Sequence, residues 1–428
     1  MNNKQNQKIM QITSETIVVG VDIGSEENYA RAFDYRGIEL SKKVFRFNND
    51  DNGFTNFSNW MTYLMNENKK NAIMVGMEPT GHYWLNVGHY LKDNQVKLVL
   101  VNPFHVKRSK EFDDNSPTKN DIKDPKTIAM LVNEGRYMEP YIPEGIYNEL
   151  RVAAEIKDQI TKQLVTVKNR VARWISIYFP EFNKVFADWE GKAALMTLKR
   201  FPMPAEIVKL TGEKIVIYWR EEVARAVGIK KANKLLEAAK KSVGVKEGLE
   251  LAKMELELLL AQYDLYKKQL DKTLGKIDEM TVNIPGMNEI LDIKGIGLTT
   301  VVGFISEVGD IERFEHPRQI QKLAGLNIKE NSSGKHKGQT TISKRGRRKL
   351  RSILFQAILP VVASNKEFQE LHKYYTTRNV NPLKKKQSLI LLCCKLIRVF
   401  YAILKKKVKY DPQKMMNDIN RPLNDVAC

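Results

Sequence analysis

Four acidic side chains in the first third of the chain lie at the ends of predicted secondary-structure elements. Asp22 lies in an apolar run typical of a buried strand, and Glu78 directly follows a second such run. Asp121 and Asp124 flank the start of a short helical segment. Carboxylate oxygens are the ligands that Mg²⁺ prefers, and two such ions about 4 Å apart can promote phosphodiester chemistry. Brought together, these acids would form a Mg²⁺ site, with Mn²⁺ as an alternative ion.

The elements that must position these acids occupy residues 1–145. Three predicted strands come first, and then helices alternate with two more strands in the order β-β-β-α-β-α-β-α. This order describes the ribonuclease H-like fold, an α/β fold with a mixed sheet flanked by helices. In that fold, acids on the first strand, the fourth strand and the last helix converge.

Each acid also has a simpler interpretation. Asp124 precedes Pro125, and its simpler interpretation is an N-cap with proline at the first helical position. Asp22 is equally suited to a turn, and Glu78 to an ordinary strand end. Their joint placement on matching elements favours the metal site.

A second candidate for chemistry is the stretch from Asn331 to Arg351, which contains Ser332 and Ser333 but no Asp or Glu. It leads into an apolar helical pattern. A basic loop before a helix is attractive to the phosphate backbone of nucleic acid. Solvated charges at a helix start are the simpler alternative. The basic residues of this stretch are Lys335, Lys337, Lys344, Arg345, Arg347, Arg348, Lys349 and Arg351.

Charge and a glycine turn point to the same class of partner. The formal net charge is +20, and a globular protein this basic usually binds a polyanion. Gly295 and Gly297 form a Gly-Ile-Gly turn of the kind that presents backbone N–H groups to a phosphate, although a plain tight turn has the same sequence. The three cysteines match neither a disulfide framework nor a zinc site, which suits a reducing cytosol.

The rest of the chain is predicted to be mainly helical. Residues 146–284 form two long helices with coiled-coil-type apolar spacing, which pair with each other or with another subunit, and carry an inserted helical module at about 181–245. Residues 285–405 form a mostly α-helical C-terminal domain, and 406–428 a tail. The apolar tract from Ser388 to Leu404 is interrupted by Lys395 and Arg398, so we expect an amphipathic helix and no membrane span.

Taken as a set, these motifs resemble the DEDD insertion-sequence transposases, also described as bridge-RNA-guided recombinases. The acids match the DEDD positions at Asp22, Glu78, Asp121 and Asp124. Three C-terminal segments resemble the transposase domain of that family in the same order: GIGLTTVVGFISEVGDIERF, LAGLNIKENSSG and TISKRGRRKLR. The resemblance covers residues 15–135 and 285–400. The inserted module and the residues Ile122, Lys123 and Pro125 depart from the family's pattern.

The resemblance implies a mechanism. Ser333, which precedes Gly334, would attack a DNA phosphodiester and form a transient phosphoserine link, while the four acids would hold Mg²⁺ beside it. The family's partners would be donor and target DNA and a structured guide RNA. Because recombining two duplexes requires four strand cuts, we expect a homo-oligomer, a dimer or tetramer. The expected location is the bacterial or archaeal cytosol, in association with the nucleoid.

Two alternatives remain open from the residues. In one, the chain is a metal-dependent nuclease or Holliday-junction resolvase whose acids activate water, and Ser333 is incidental. In the other, it is a non-catalytic scaffold that binds nucleic acid.

Overall fold

A computed structural model describes residues 3–79, 81–114, 123–225, 227–282, 284–329, 332–333, 336–338 and 340–417. The chain divides into two compact units, residues 1–142 and residues 143–428. The first unit is an α/β unit and the second is predominantly helical, as expected from the sequence.

A mixed six-stranded sheet forms the centre of the first unit. The strand order is β3-β2-β1-β4-β5-β6; β1, β4 and β5 run parallel, whereas β2, β3 and β6 pair antiparallel with their neighbours. The strands are β1 (Thr16–Asp22), β2 (Glu27–Phe33), β3 (Phe45–Asn48), β4 (Ala72–Met77), β5 (Lys97–Val101) and β6 (Tyr137–Met138).

Helices cover both faces of this sheet. One apolar cluster joins odd-numbered β1 residues such as Val19 to helix α2, and the other joins even-numbered ones such as Val18 to helix α5. The alternation follows from the two-residue period of a strand, which sends successive side chains to opposite faces. The helices are α1 (Asn3–Ile9), α2 (Asp51–Glu67), α3 (Trp84–Asp93), α4 (Pro103–Asp114) and α5 (Asp124–Asn133).

Several details of this unit differ from the sequence prediction. Helix α1 and strand β6 have no predicted counterpart, and α4 lies where the sequence predicts a polar loop. The third strand, predicted over residues 38–47, is shorter, because residues 38–41 contribute only an isolated bridge between Glu39 and Phe33. Its regular pairing begins at Phe45.

The second unit is built on two long helices, α6 (Gly145–Tyr178) and, further along the chain, α12 (Leu249–Thr281). They pack along each other in opposite directions. Trp174 near the end of α6 donates its indole N–H to the carbonyl of Ala252 near the start of α12, at 2.7 Å. The apolar seams predicted from the sequence therefore face each other within one chain.

The inserted module between these helices shares its core with them. Trp219 is fully buried there and donates its indole N–H to Thr197 Oγ1 at 2.9 Å. The helices of the module are α7 (Phe182–Val185), α8 (Lys192–Arg200), α9 (Pro204–Ile207), α10 (Gly212–Arg220) and α11 (Ile229–Lys240).

A separate apolar core organises the C-terminal helices. It includes the buried side chains of Phe304, Leu354 and Phe400. Its helices are α13 (Met287–Leu291), α14 (Leu298–Val308), α15 (Pro317–Leu323), α16 (Arg348–Ser364), α17 (Lys366–Thr377), α18 (Lys385–Lys406) and α19 (Pro412–Asn417). By length and composition α18 could cross a membrane, but most of its apolar window is buried in this core.

Candidate active site and nucleic-acid interface

Two of the predicted acids lie side by side at one edge of the sheet. Strands β1 and β4 are parallel neighbours, and Val21 is paired with Met77. Asp22 ends β1, and Glu78 directly follows β4. Both carboxylates are therefore at the carboxyl ends of adjacent parallel strands, and both residues are half-buried.

Two paired glycines bring helix α5 against the same face. A Cβ on Gly20 would lie 1.8 Å from the carbonyl oxygen of Pro125, and a Cβ on Gly76 would lie 2.5 Å from Val132 Cγ2. Because residues two apart in a strand point to the same side, Asp22 and Glu78 face the side that α5 covers. The close approach requires glycine at both positions.

The third described acid belongs to that helix. Helix α5 begins at Asp124 itself, and its N-cap position is Lys123, which makes no side-chain cap. The simpler interpretation of Asp124 as an N-cap is therefore wrong. Because Pro125 packs over Gly20, the start of α5 lies near the end of β1 that carries Asp22. Asp121 lies outside the described residues.

Two acidic residues thus lie at one sheet edge, and a third, Asp124, begins the helix that covers the same face. Carboxylates suit a hard cation such as Mg²⁺, so the chemistry of the set fits the predicted metal. Within the described ranges no three His, Cys, Asp or Glu side chains are grouped closely enough to hold a metal ion. The described residues therefore provide the donors but not a closed site.

A repeated sequence pattern signals this arrangement and was overlooked in the sequence prediction. Residues 19–22 read Val-Gly-Val-Asp, and residues 75–78 read Val-Gly-Met-Glu. In the sheet the first three positions of the two segments are paired one to one. When two paired strands both have glycine two positions before an acid, the same helix can pack against both glycines. The two acids then lie next to each other at the same edge of the sheet.

The candidate serine lies in a short hairpin of the second unit. Strand β8 (Ser332–Ser333) pairs antiparallel with β9 (His336–Lys337), and Ser333 is opposite His336. The hairpin lies between β7 (Ile328–Lys329) and β10 (Thr341–Ile342), which also pair antiparallel. Lys335 lies outside the described residues.

The basic residues that follow fall into two groups. Arg347 donates to the carbonyl of Glu307 at 2.8 Å and is 3.5 Å from its carboxylate, and Arg351 donates to the carbonyl of Ala324 at 2.8 Å. Lys349 lies 2.8 Å from Asp158. The two arginines stabilise the packing of the second unit, and Lys349 is fixed in position by Asp158. The sequence does not reveal these partners.

The second group is open to solvent. Lys344, Arg345 and Arg348 are exposed. In the part of the chain that the structure describes, none of the three side chains has an ion-pair partner. They are the described residues of this stretch best placed to contact phosphate.

The Gly-Ile-Gly turn also divides into two roles. Gly295 has a φ of +90°, and a Cβ there would lie 2.7 Å from the carbonyl oxygen of Pro360, so glycine is required for packing against α16. Gly297 is exposed at the start of α14, with open space around it. Of the two, Gly297 is the one that can offer its backbone to an anion.

Comparison with known proteins identifies two family matches. Residues 19–180 match the DEDD model of IS110 elements, described as a transposase, and residues 287–375 match the model described as the transposase IS116/IS110/IS902 family. The inserted module lies between the two matched ranges.

Individual relatives agree with these matches. The chain is 23% identical to the insertion element IS116 44.8 kDa protein of Streptomyces clavuligerus, over 94% of this chain and 98% of the relative. It is 20% identical to the pilin gene-inverting protein of Moraxella bovis, over 88% and 97% respectively. It is 24% identical to the transposase of IS1111A from Coxiella burnetii, over 33% of this chain and 40% of that protein.

Proposed function

Because the chain belongs to the IS110 family of insertion-sequence transposases and is a DNA transposase or recombinase, we propose that it cuts and rejoins DNA with Ser333 as the nucleophile. For the acidic residues, the observation that supports this proposal is the pairing of residues 19–21 with residues 75–77, each segment being followed by an acid. This pairing supports a common site for Asp22 and Glu78, next to the start of α5, where Asp124 lies.

The first unit is, in this proposal, a ribonuclease H-like catalytic domain. Its strand order, with three parallel strands at the centre and an antiparallel pair at one edge, supports that assignment. Asp22, Glu78, Asp124 and, by family resemblance, Asp121 would hold Mg²⁺ or Mn²⁺. When bound, the ion supplies charge stabilisation for the phosphodiester and lowers the pKa of an attacking oxygen.

The serine step conserves the phosphodiester bond energy. Ser333 Oγ attacks a DNA phosphorus, its proton passes to a nearby base, a Ser–O–P bond forms and one P–O bond of the strand breaks. The released deoxyribose oxygen takes up a proton. In the reverse step, the hydroxyl of another strand attacks the phosphoserine and releases the serine, so strand exchange needs no nucleotide triphosphate.

The partners in this proposal are donor and target DNA and, by family resemblance, a structured guide RNA. Base pairing with such an RNA would supply sequence recognition, so the protein need only contact backbones. Lys344, Arg345 and Arg348 are placed for that role. The reaction would take place in the bacterial or archaeal cytosol, where the DNA is.

We also propose that the protein acts as a homo-oligomer. Exposed apolar side chains follow the outer face of α12 at intervals of three, four and seven residues, the spacing of a coiled-coil seam. They are Leu251, Met254, Leu258 and Leu265, which are between 51% and 74% exposed. A recombination complex requires several copies of the chain, so we propose that a second copy packs against this face of α12.

The test is a search for the covalent intermediate. Protein is incubated with Mg²⁺, DNA carrying the element ends and the RNA transcribed beside it, and protein–DNA adducts are separated under denaturing conditions. We expect an adduct with the wild type and with Ser332→Ala, and none with Ser333→Ala. Ser332 is the matched control because it lies beside Ser333 in β8.

Other outcomes would identify the alternatives. Cleavage that survives Ser333→Ala but is lost in Asp22→Ala would indicate a metal-dependent nuclease. Binding without cleavage, with the cognate RNA and DNA present, would indicate a scaffold.

A further inference from the structure

A cleft in the second unit lies where the long helices meet the C-terminal helices. It has a volume of about 340 Å³ and is walled by α6, α12, α14 and α16. A cavity of this size falls within the range of sites that hold small ligands or parts of larger ones. Its lining includes neither Ser333 nor any of the acids of the sheet, so no step of the proposed reaction uses its residues.

One side of the cleft is basic. Lys157 and Lys162 reach it from α6, and Lys349 reaches it from α16, whereas Asp158 is the single acid in its lining. The lining therefore carries a formal charge of +2, from three lysines and one aspartate. Such an enclosed positive surface attracts an anion more strongly than scattered surface lysines do.

Asp158 organises the lysines without neutralising them all. Its carboxylate lies 2.9 Å from Lys157 Nζ and 2.8 Å from Lys349 Nζ. Burial alone would raise the pKa of Asp158, but the hydrogen bonds from Lys349 and Lys157 outweigh it and hold the pKa below its usual value. Asp158 therefore stays ionised and fixes two ammonium groups at the rim. Lys162 is exposed, and among the residues that the structure describes it forms no ion pair with an acid.

The remaining lining suits a sugar–phosphate chain. Thr299, Thr300 and Ser352 contribute hydroxyl groups beside the lysines, and Gln356 contributes an amide. The lining also has an apolar part, which includes Leu274 and Ile277 of α12 and Ile353 of α16. Hydroxyls and ammonium groups bind phosphate oxygens, and an apolar wall accommodates the carbon face of deoxyribose.

The cleft is also continuous with the exposed cations of the basic stretch. Arg348 lies one turn before Ser352 on α16, and residues four apart share a helix face. A nucleic-acid strand that contacts Arg348 can therefore continue along α16 into the cleft. This continuity favours a long polyanion over a free phosphate.

We propose that this cleft binds the phosphodiester backbone of a DNA strand through Lys157, Lys162 and Lys349. The inference rests on DNA being the substrate of the proposed reaction. It assigns to the long helix α6 a direct part in holding the strand, in addition to its packing against α12. The bound strand would run from the basic stretch toward the long helices.

The test is equilibrium binding of the full-length protein to a fluorescein-labelled 30-base-pair DNA duplex, followed by anisotropy in EDTA so that no strand is cut. For Lys157→Ala/Lys162→Ala we expect about tenfold weaker binding near physiological salt and a salt dependence reduced by about two in log–log slope. The matched control is Lys268→Ala/Lys272→Ala, which removes the same charge from exposed positions on α12 outside the cleft.

A charge-neutral variant separates the cleft from general electrostatics. Ser352→Phe at the exposed rim fills the space without altering charge, and we expect it to weaken binding by at least threefold while the melting temperature is unchanged. Equal losses in both lysine pairs, or full affinity for Ser352→Phe, would overturn the assignment. If the Lys157→Ala/Lys162→Ala variant bound DNA normally but bound an RNA of the same sequence more weakly, DNA would be overturned as the ligand of the cleft. A wild type that binds no DNA would instead contradict the proposed function.

Discussion

At the scale of single residues, Gly20 is the position on which the acidic edge most depends. Because Gly20 has no Cβ, the backbone of α5 can approach β1 closely. A Cβ at this position would lie 1.8 Å from the carbonyl oxygen of Pro125 and 2.8 Å from the backbone nitrogen of Ala129. Gly20→Ala must displace α5 and with it Asp124. We expect a loss of more than about 2 kcal/mol in the free energy of unfolding and loss of DNA cleavage, measured by urea denaturation and a cleavage assay.

Gly275 is the matched control for Gly20. It lies in the interior of α12 with no atom near its absent Cβ. Gly275→Ala should therefore stabilise the protein by about 1 kcal/mol, because alanine favours a helix. Equal effects at the two positions would contradict the contact between α5 and β1.

The arginines of the basic stretch give a second prediction at this scale. Arg347→Ala and Arg351→Ala remove donors to backbone carbonyls and should lower stability by about 1 to 2 kcal/mol each. Arg345→Ala and Arg348→Ala should leave stability unchanged and reduce the salt dependence of DNA binding by about one each. Thermal melts and salt titrations of the four variants measure both quantities, and a reversed pattern would contradict the two groups.

The sequence predicted that Asp22 and Glu78 lie at strand ends, but it did not predict the contacts of these arginines. Asp22 and Glu78 stand at strand ends, so a local pattern is enough to find them. Arg347 and Arg348 are adjacent and chemically alike. Their roles differ because Arg347 contacts Glu307, which lies forty residues earlier in the chain. Long-range partners of this kind leave no local signal in the sequence.

At the scale of elements, apolar periodicity predicted most of the architecture. The central strands are short continuous apolar runs and the long helices α6 and α12 carry heptad spacing, and all of them are present. Helix α4 was missed because its sequence, PFHVKRSKEFDD, has few apolar residues and little amphipathic contrast. The packing of the inserted module against the long helices was not predictable, because the sequences of its helices do not indicate which other helices they contact.

Trp219 on α10 tests whether that module is a packed part of the core. Trp219→Ala would empty a fully buried site and leave Thr197 without its indole donor, so we expect a loss of about 3 to 5 kcal/mol. Limited proteolysis should then cut first within 181–245. The neighbouring control Ile217→Ala, at a side chain 63% exposed, should change stability by less than about 0.5 kcal/mol. Resistance of the Trp219 variant to proteolysis would show that the module does not depend on this core.

At the scale of the whole molecule, the formal charge of +20 and the two-unit organisation suit a protein that holds long polyanions. Recombination of two duplexes breaks four strands, and in the proposed mechanism each Ser333 attacks one strand at a time. A complex of several copies is therefore expected, and it needs a surface on which copies meet. We propose the exposed apolar row on α12 as this surface, since side chains at heptad spacing can be buried against the same helix of another copy.

Leu258→Glu/Leu265→Glu tests this surface, because it places two charges in the row, where burial would cost more than the apolar contact returns. We expect the wild type bound to DNA and RNA to be a dimer or tetramer by light scattering, and this variant to be smaller with its melting temperature preserved. Val243→Glu/Val245→Glu is the control, because it adds the same charge at exposed valines away from α12. A monomeric wild type in the presence of DNA and RNA would contradict the oligomer. A variant that assembles normally would place the interface elsewhere on the chain.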